Sequence, residues 1–181
     1  WKSWVFNVGL SGSLSGEETK HFVSARTNLS ANRVTDKIKF RTGLSGYYSS
    51  SVFKVEEDGV TEDVTSIQKS FSLSSLYVVS INEHWSVGGW LSVSSSTYNN
   101  LDFNLNPAPA IEYNFFPYSE STRRQLRILY RVGFNLNYYH EETIFDKTRE
   151  ALLGETLSVT FEMKEPWGNI SSSLEGFHYF N

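Results

Sequence analysis

From Leu126 to Tyr138 an apolar or aromatic residue takes every second place. These are Leu126, Ile128, Tyr130, Val132, Phe134, Leu136 and Tyr138, with Arg127, Arg131, Asn135 and Asn137 between them. A period of two puts the first set on one face of a strand and the second on the other. An ordinary half-buried strand is about five or six residues long. This alternation lasts for about thirteen, beyond the ~9–11 residues a tilted strand needs to cross a bilayer. A Pro/Ser/Glu/Arg-rich turn and an extended run from Ala110 precede it, so residues 110–139 read as one long hairpin.

The rest of the sequence must tolerate such a hairpin. With 181 residues the chain can form one sizeable domain. A start at Trp1 rather than Met marks a processed product or a piece of a longer chain. Net charge is -4 and the pI about 5.6, which argues against a general nucleic-acid binder. Cysteine is absent, so disulfides, Cys-based metal sites and thiol nucleophiles are out. No apolar run approaches the ~18 residues of a membrane helix and no signal peptide is visible. A barrel is still permitted, because its strands hide their apolarity in alternation. Aromatic residues make up 15% at a mean hydropathy of -0.35, the composition of a barrel with a wet interior. A soluble antiparallel sandwich is the alternative.

In chain order, a first strand carries Trp4, Phe6, Val8, Leu10 and Leu14, and 16–19 connect it to a second at 22–31. A short turn is predicted at 32–36. A third strand has Ile38, Phe40, Leu44 and Tyr48 on one face, and an acidic loop is predicted at 56–63 with a turn signal at Asp58-Gly59. The fourth strand carries Ile67, Phe71, Leu73, Tyr77, Val79 and Ile81, and the fifth Trp85, Val87, Leu91 and Val93. The sixth, at 105–115, contains Pro107 and Pro109, which predict a bulge or local break because proline removes a ladder donor. The seventh ends in a loop at 140–150, the eighth carries Leu157, Val159, Phe161 and Met163, and a ninth begins at Asn169. No segment shows a 3.6-residue stripe.

The predicted connections after the second, fourth and eighth strands are short and the sixth's is turn-like, while those after the third and seventh are longer and acidic. Outer-membrane barrels have short periplasmic turns and longer external loops, with aromatic girdles at both interfaces. The aromatics sort accordingly: Trp4, Trp85, Phe115, Phe116, Tyr118 and Trp167 fall at the periplasmic rim, and Tyr48, Tyr98, Tyr138 and Tyr139 at the outer rim. The expected fold is therefore all-β, an antiparallel up-and-down transmembrane β-barrel forming a single domain over 1–181. About nine strands is an odd number, whereas bacterial single-chain barrels have even numbers and closure must leave no edge in lipid. A truncated barrel is expected, with strands missing.

With the apolar set toward lipid, the other set lines the lumen: mostly Ser, Asn, Gly and Thr, with Arg26, Lys39, Arg41, Glu112, Arg127, Arg131, Glu162 and Glu175 among them. Glu112, Arg127, Arg131 and Glu162 come from three consecutive strands and could form an ion-pair network near one rim. Such a ring would set selectivity in a narrow pore, or merely satisfy interior charge and fix register. Among His21, His84, His140 and His178, His140 alone sits beside two carboxylates, Glu141 and Glu142, and these read as a solvated loop. No nucleophile elbow, P-loop or zinc motif occurs, so no catalytic residue, metal or cofactor is expected. A lipid-facing Ser/His site would need an outward hydroxyl near His178. The sequons at Asn28 and Asn169 fall in strands.

The strings PAIEYNFFPYSESTRRQL (109–126), SANRVTDKIK (30–39), INEHWSVGG (81–89), EETIFDKT (141–148) and EPWGNISSSLEGFHYF (165–180) resemble an uncharacterised family of bacterial outer-membrane barrels. Its members are longer at both ends, with a periplasmic N-terminal region and further strands. The resemblance implies the middle of a barrel of about twelve strands in a Gram-negative outer membrane, with no activity to carry over. The expected role is a narrow passive pore for ions or small solutes, or alternatively a non-conducting barrel that anchors a periplasmic domain or joins a larger assembly. The expected partners are outer-membrane lipid and lipopolysaccharide, the latter through cations at the acidic loops. Periplasmic or outer-membrane proteins would dock at the rim, where Arg33, Lys37, Arg123 and Arg124 gather.

Overall fold

The computed structural model describes residues 4–35, 37–57, 60–120 and 122–180, with the side chains of 56, 57, 60 and 61 outside it. Alternation becomes strand throughout: β1 (Trp4–Glu17), β2 (Lys20–Val34), β3 (Ile38–Glu57), β4 (Val60–Ser80), β5 (Trp85–Ser96), β6 (Leu101–Asn114), β7 (Arg124–Tyr139), β8 (Arg149–Glu165) and β9 (Gly168–Tyr179). A 3-10 turn at Tyr118–Glu120 lies between β6 and β7. The nine strands form one antiparallel up-and-down sheet in chain order. β1 and β9 are its edges and do not pair with each other, so the described sheet is not closed. Strand lengths run from 12 to 21 residues, well beyond the usual five or six.

The largest departure from the predicted boundaries is the β3–β4 hairpin. The acidic stretch at 56–63 is not a loop: its ladder continues until Glu57 faces Val60. Val52, Val55, Val60, Thr61, Val64 and Thr65 are β-branched and suit a pleated backbone, which outweighs the loop-like charge around them. The Asp58-Gly59 turn signal lies outside the described residues. β2 runs on through Asn32, Arg33 and Val34, which read as turn, and Asp36 lies outside the described residues. β6 starts at Leu101, earlier than its prolines suggest, with a register shift between Leu101 and Phe103. At Pro107 and Pro109 the outcome is a local break: β6–β7 pairing stops after Leu105–Leu136 and resumes at Ala110–Arg131 in the same register. The β5–β6 ladder passes both prolines unbroken.

Cross-strand partners share a face, so the registers can be followed across the sheet. One row reads Val8, Leu29, Leu44, Leu73, Val93, Leu105, Leu136 and Ala151 from β1 to β8. The row next to it, on the opposite face, begins Asn7, Ser30, Gly43, Ser74, Ser92 and Asn106. The Asn106 amide then donates to the Asn135 carbonyl oxygen of β7. Along most of these rows one face is apolar and the other polar, the exceptions including Leu76, Val78, Trp90, Leu152, Phe177 and Tyr179 on the polar face and Lys69 and Glu155 on the apolar one. Ala108 is the only buried apolar residue among those described. The accessible surface is 12743 Å², against about 8,900 Å² for a soluble monomer of this mass. Among the described residues nothing covers the apolar face.

Where chain turns meet the polar face, the packing is tighter. Asn114, at the end of β6, is 1% exposed, and its Oδ1 accepts the Leu126 N–H at 3.2 Å. The His84 ring nitrogen Nδ1 lies 2.8 Å from the Asn114 carbonyl oxygen, tying the β4–β5 turn to the β6–β7 turn. Asn114→Ala should lower the stability of the folded protein by about 1–3 kcal/mol, because the Leu126 donor is left buried without its acceptor. Urea titration of both proteins, folded in the same detergent, measures this.

Candidate functional site

The eight charged residues predicted to share an interior all fall on the polar face by register. Arg26 belongs to β2, Lys39 and Arg41 to β3, Glu112 to β6, Arg127 and Arg131 to β7, Glu162 to β8 and Glu175 to β9. That face is concave: Lys39 of β3 and Arg127 and Arg131 of β7, four strands apart in the sheet, line one cavity of about 520 Å³. The structure does not gather the predicted four-member network. Arg127 Nε lies 3.6 Å from Glu112 Oε2, but Arg131 Nη2 donates to Thr156 Oγ1 at 3.4 Å. Arg131 stands opposite Thr156 and Glu162 opposite Gln125, a separation of six residues, about 20 Å. Arg26 instead stacks over the Tyr47 ring at 5.2 Å, and Glu175 faces Ser158.

Four cavity-lining side chains were not among the predicted site residues. Leu76 and Val78 of β4, Trp90 of β5 and Leu129 of β7 lie on the polar face and line the cavity. Trp90 was legible, since it occupies the Ser/Gly phase of β5 between Gly88 and Ser92. Leu76 and Val78 were not, because Leu76-Tyr77-Val78-Val79 is apolar on both phases. Gly88 opposite Val78, Ala110 opposite Gly88 and Ala108 opposite Trp90 leave the room that these large side chains border. From the β6–β7 turn, the Tyr118 hydroxyl reaches the Ser86 Oγ at 3.0 Å and the Glu112 Oε1 at 3.2 Å. Burial pushes the Tyr118 hydroxyl above its ordinary pKa, and the Glu112 charge adds to this while the Ser86 hydrogen bond opposes it.

The aromatics occupy two levels. Trp4, Trp85, Phe115, Phe116 and Trp167 are at the end of the sheet that carries the connections 35–37, 81–84, 115–123 and 166–167. On the apolar face Trp4 stacks on Phe6 at 5.7 Å and meets Phe40 at 5.8 Å, and Phe40 meets Tyr77 at 6.5 Å. Trp85, Tyr113 and Phe115 continue this belt. Phe6, Phe40, Tyr77 and Tyr113 were missed as belt members, although each has the parity of the apolar set. Tyr118 belongs to the same end but turns inward. At the other level, Tyr138 packs on Phe103 at 6.3 Å, Tyr98 is exposed in a turn, and Tyr139 donates to Glu150 Oε2 at 3.3 Å. Tyr48 sits in mid-β3, opposite Lys69, because the β3–β4 hairpin projects past this level.

Three of the rim cations already have partners. Arg123 Nη2 is 3.1 Å from Glu165 Oε1, Arg124 bonds Glu120 and lies over Phe116, and Arg33 lies over Trp4 at 5.6 Å. The Arg124 hydrogen bond holds the Glu120 carboxyl below the usual range. His140 stands 3.5 Å from Asp102 near the start of β6. His178, on the apolar face, has Glu155 at 3.6 Å, and Glu155 accepts a hydrogen bond from the Tyr130 hydroxyl. Among the described residues no group of three His, Cys, Asp or Glu could hold a metal ion, and no helix is long and apolar enough to cross a membrane. No family model, curated protein or solved structure matches the chain.

Proposed function

We propose that the nine strands are the wall of a transmembrane β-barrel in a Gram-negative outer membrane, and that its wet interior is a narrow passive pathway for ions or small solutes. The observation that carries this is the sorting of rows: an uncovered apolar face and a concave polar face, kept in phase across every strand. In water such a face would forfeit about 25 cal/mol for each Å² left exposed, whereas lipid covers it at no cost. Phe40 and Tyr48 are eight residues apart, about 26 Å along the strand. At a tilt near 40° that spans about 20 Å, close to the apolar band of outer-membrane barrels.

In a bilayer the free edges of β1 and β9 must find strand partners, since unpaired backbone groups are costly in hydrocarbon. The resemblance to outer-membrane barrels of about twelve strands fits this need. The end with connections 35–37, 81–84, 115–123 and 166–167 is then periplasmic, and the β3–β4 hairpin and residues 140–148 are external.

A non-conducting barrel that anchors a periplasmic domain or joins a larger assembly is the second reading. It is favoured by one observation: Leu76, Val78, Trp90 and Leu129 put apolar bulk on the polar face near the periplasmic mouth. Single-channel recording in a planar bilayer separates the two. A pore gives discrete steps, and Arg131→Ala should shift its permeability ratio toward cations by removing a fixed positive charge from the lumen. A silent bilayer, with insertion verified by heat-modifiable gel migration, would leave only the second reading.

A further inference from the structure

We propose that the cavity at this mouth binds an amphiphilic carboxylate, a fatty-acid-like anion whose head meets Lys39, Arg127 and Arg131 and whose tail lies along the apolar wall. Such a site presupposes the lumen proposed above and gives it a ligand class. The wall comes from Leu76, Val78, Trp90 and Leu129, large apolar side chains that interrupt the Ser/Asn/Gly pattern of the polar face here. At about 520 Å³, the cavity lies within the range of small-ligand sites, which pair an apolar lining with a few polar groups.

Charge then selects the head group. Three cations line the cavity against one carboxylate, Glu112. Glu112 is engaged twice, by Arg127 at 3.6 Å and by the Tyr118 hydroxyl at 3.2 Å. Among the described residues Arg131 has only the Thr156 hydroxyl. Among the described residues Lys39 has no hydrogen-bond or ion-pair partner. Two positive groups facing a partly enclosed space without a carboxylate of their own favour an anion there, and charge-assisted bonds in such surroundings are the strong ones. An inorganic anion would leave the apolar wall wet, so a ligand with a hydrocarbon tail uses the site better.

Trp90 supplies the readout, since bromine quenches indole fluorescence on contact. The protein, folded in non-ionic micelles, is titrated with 11-bromoundecanoate. The expected result is saturable quenching that is largely lost in Trp90→Phe. The Lys39→Ala/Arg131→Ala double variant should weaken binding about tenfold or more, the loss of at least one charge-assisted bond. Arg123→Ala, outside the cavity, should leave it unchanged. Quenching that rises without saturating overturns the site. Equal quenching by 11-bromoundecanol, or equal competition by inorganic phosphate, does so too, because each removes one half of the recognition. Bilayer insertion of the same preparation is scored separately. A protein that inserts but does not bind loses the site and keeps the barrel, whereas one that binds but does not insert loses the barrel.

Discussion

Leu44→Arg should strongly destabilise the sheet inserted in a bilayer, while Ser45→Arg, one residue away, should leave its stability nearly unchanged. Leu44 lies in the central row, between Leu29 of β2 and Leu73 of β4. It is four residues from Phe40 at one aromatic level and four from Tyr48 at the other. A lipid-facing Arg at the midplane costs about 2–4 kcal/mol, a large fraction of the roughly 5–15 kcal/mol that holds a protein folded. Ser45 belongs to the polar face, where it lines a groove with Asn28, Ser72 and Ser74, and a cation there keeps its water. The contrast also separates lipid from water around the apolar face. If that face were solvated, an exposed Arg at 44 would change stability by only about 0.5 kcal/mol. The measurement is the urea midpoint of each variant folded into vesicles, followed by heat-modifiable migration. Equal midpoints for the two variants would sink the lipid-facing assignment of the Leu44 row.

The sheet was readable because its signal is local and repeated. Parity along β7 or β5 needs no knowledge of neighbours, and the antiparallel order follows from connections too short for crossovers. Strand ends were less readable, since β-branched residues in a charged stretch, as at 60–65, support pleated backbone that composition alone assigns to loop. The candidate site was half readable. That Arg127, Arg131, Glu112 and Lys39 share a face follows from parity, yet which of them touch depends on how far each sits along its strand. The pairing of Arg131 with Thr156 rather than Glu162 is a consequence of the β7–β8 register, and turn geometry sets register. Leu76 and Val78 stayed hidden because an apolar run on both phases does not say which member points inward. Tyr118 lay in a turn, where no periodicity exists to orient it.

Gly88→Ala should be the most damaging small substitution in the sheet, lowering stability by about 3 kcal/mol, the upper end of the usual overpacking range. A Cβ at position 88 would sit 2.3 Å from the Tyr77 carbonyl oxygen, 2.9 Å from Val78 Cα and 3.0 Å from Val78 Cγ2. The first two are backbone atoms, so rotating a side chain cannot relieve the contact, and β4 and β5 must move apart. Working against this, alanine gains about 0.4–1 kcal/mol over glycine by restricting the unfolded chain, which is too little to offset the clash. Gly46→Ala is the matched control, because a Cβ there meets nothing within 4 Å and the unfolded-state gain should appear alone as slight stabilisation. Gly88 also lines the cavity with Val78 and Trp90. A spread β4–β5 pair should therefore weaken 11-bromoundecanoate quenching even in the fraction of Gly88→Ala protein that folds. Urea midpoints of the two variants in the same vesicles test the packing, and a Gly88→Ala midpoint at or above that of Gly46→Ala would mean that the close approach of β5 to the Tyr77 carbonyl does not hold this end of the lumen together.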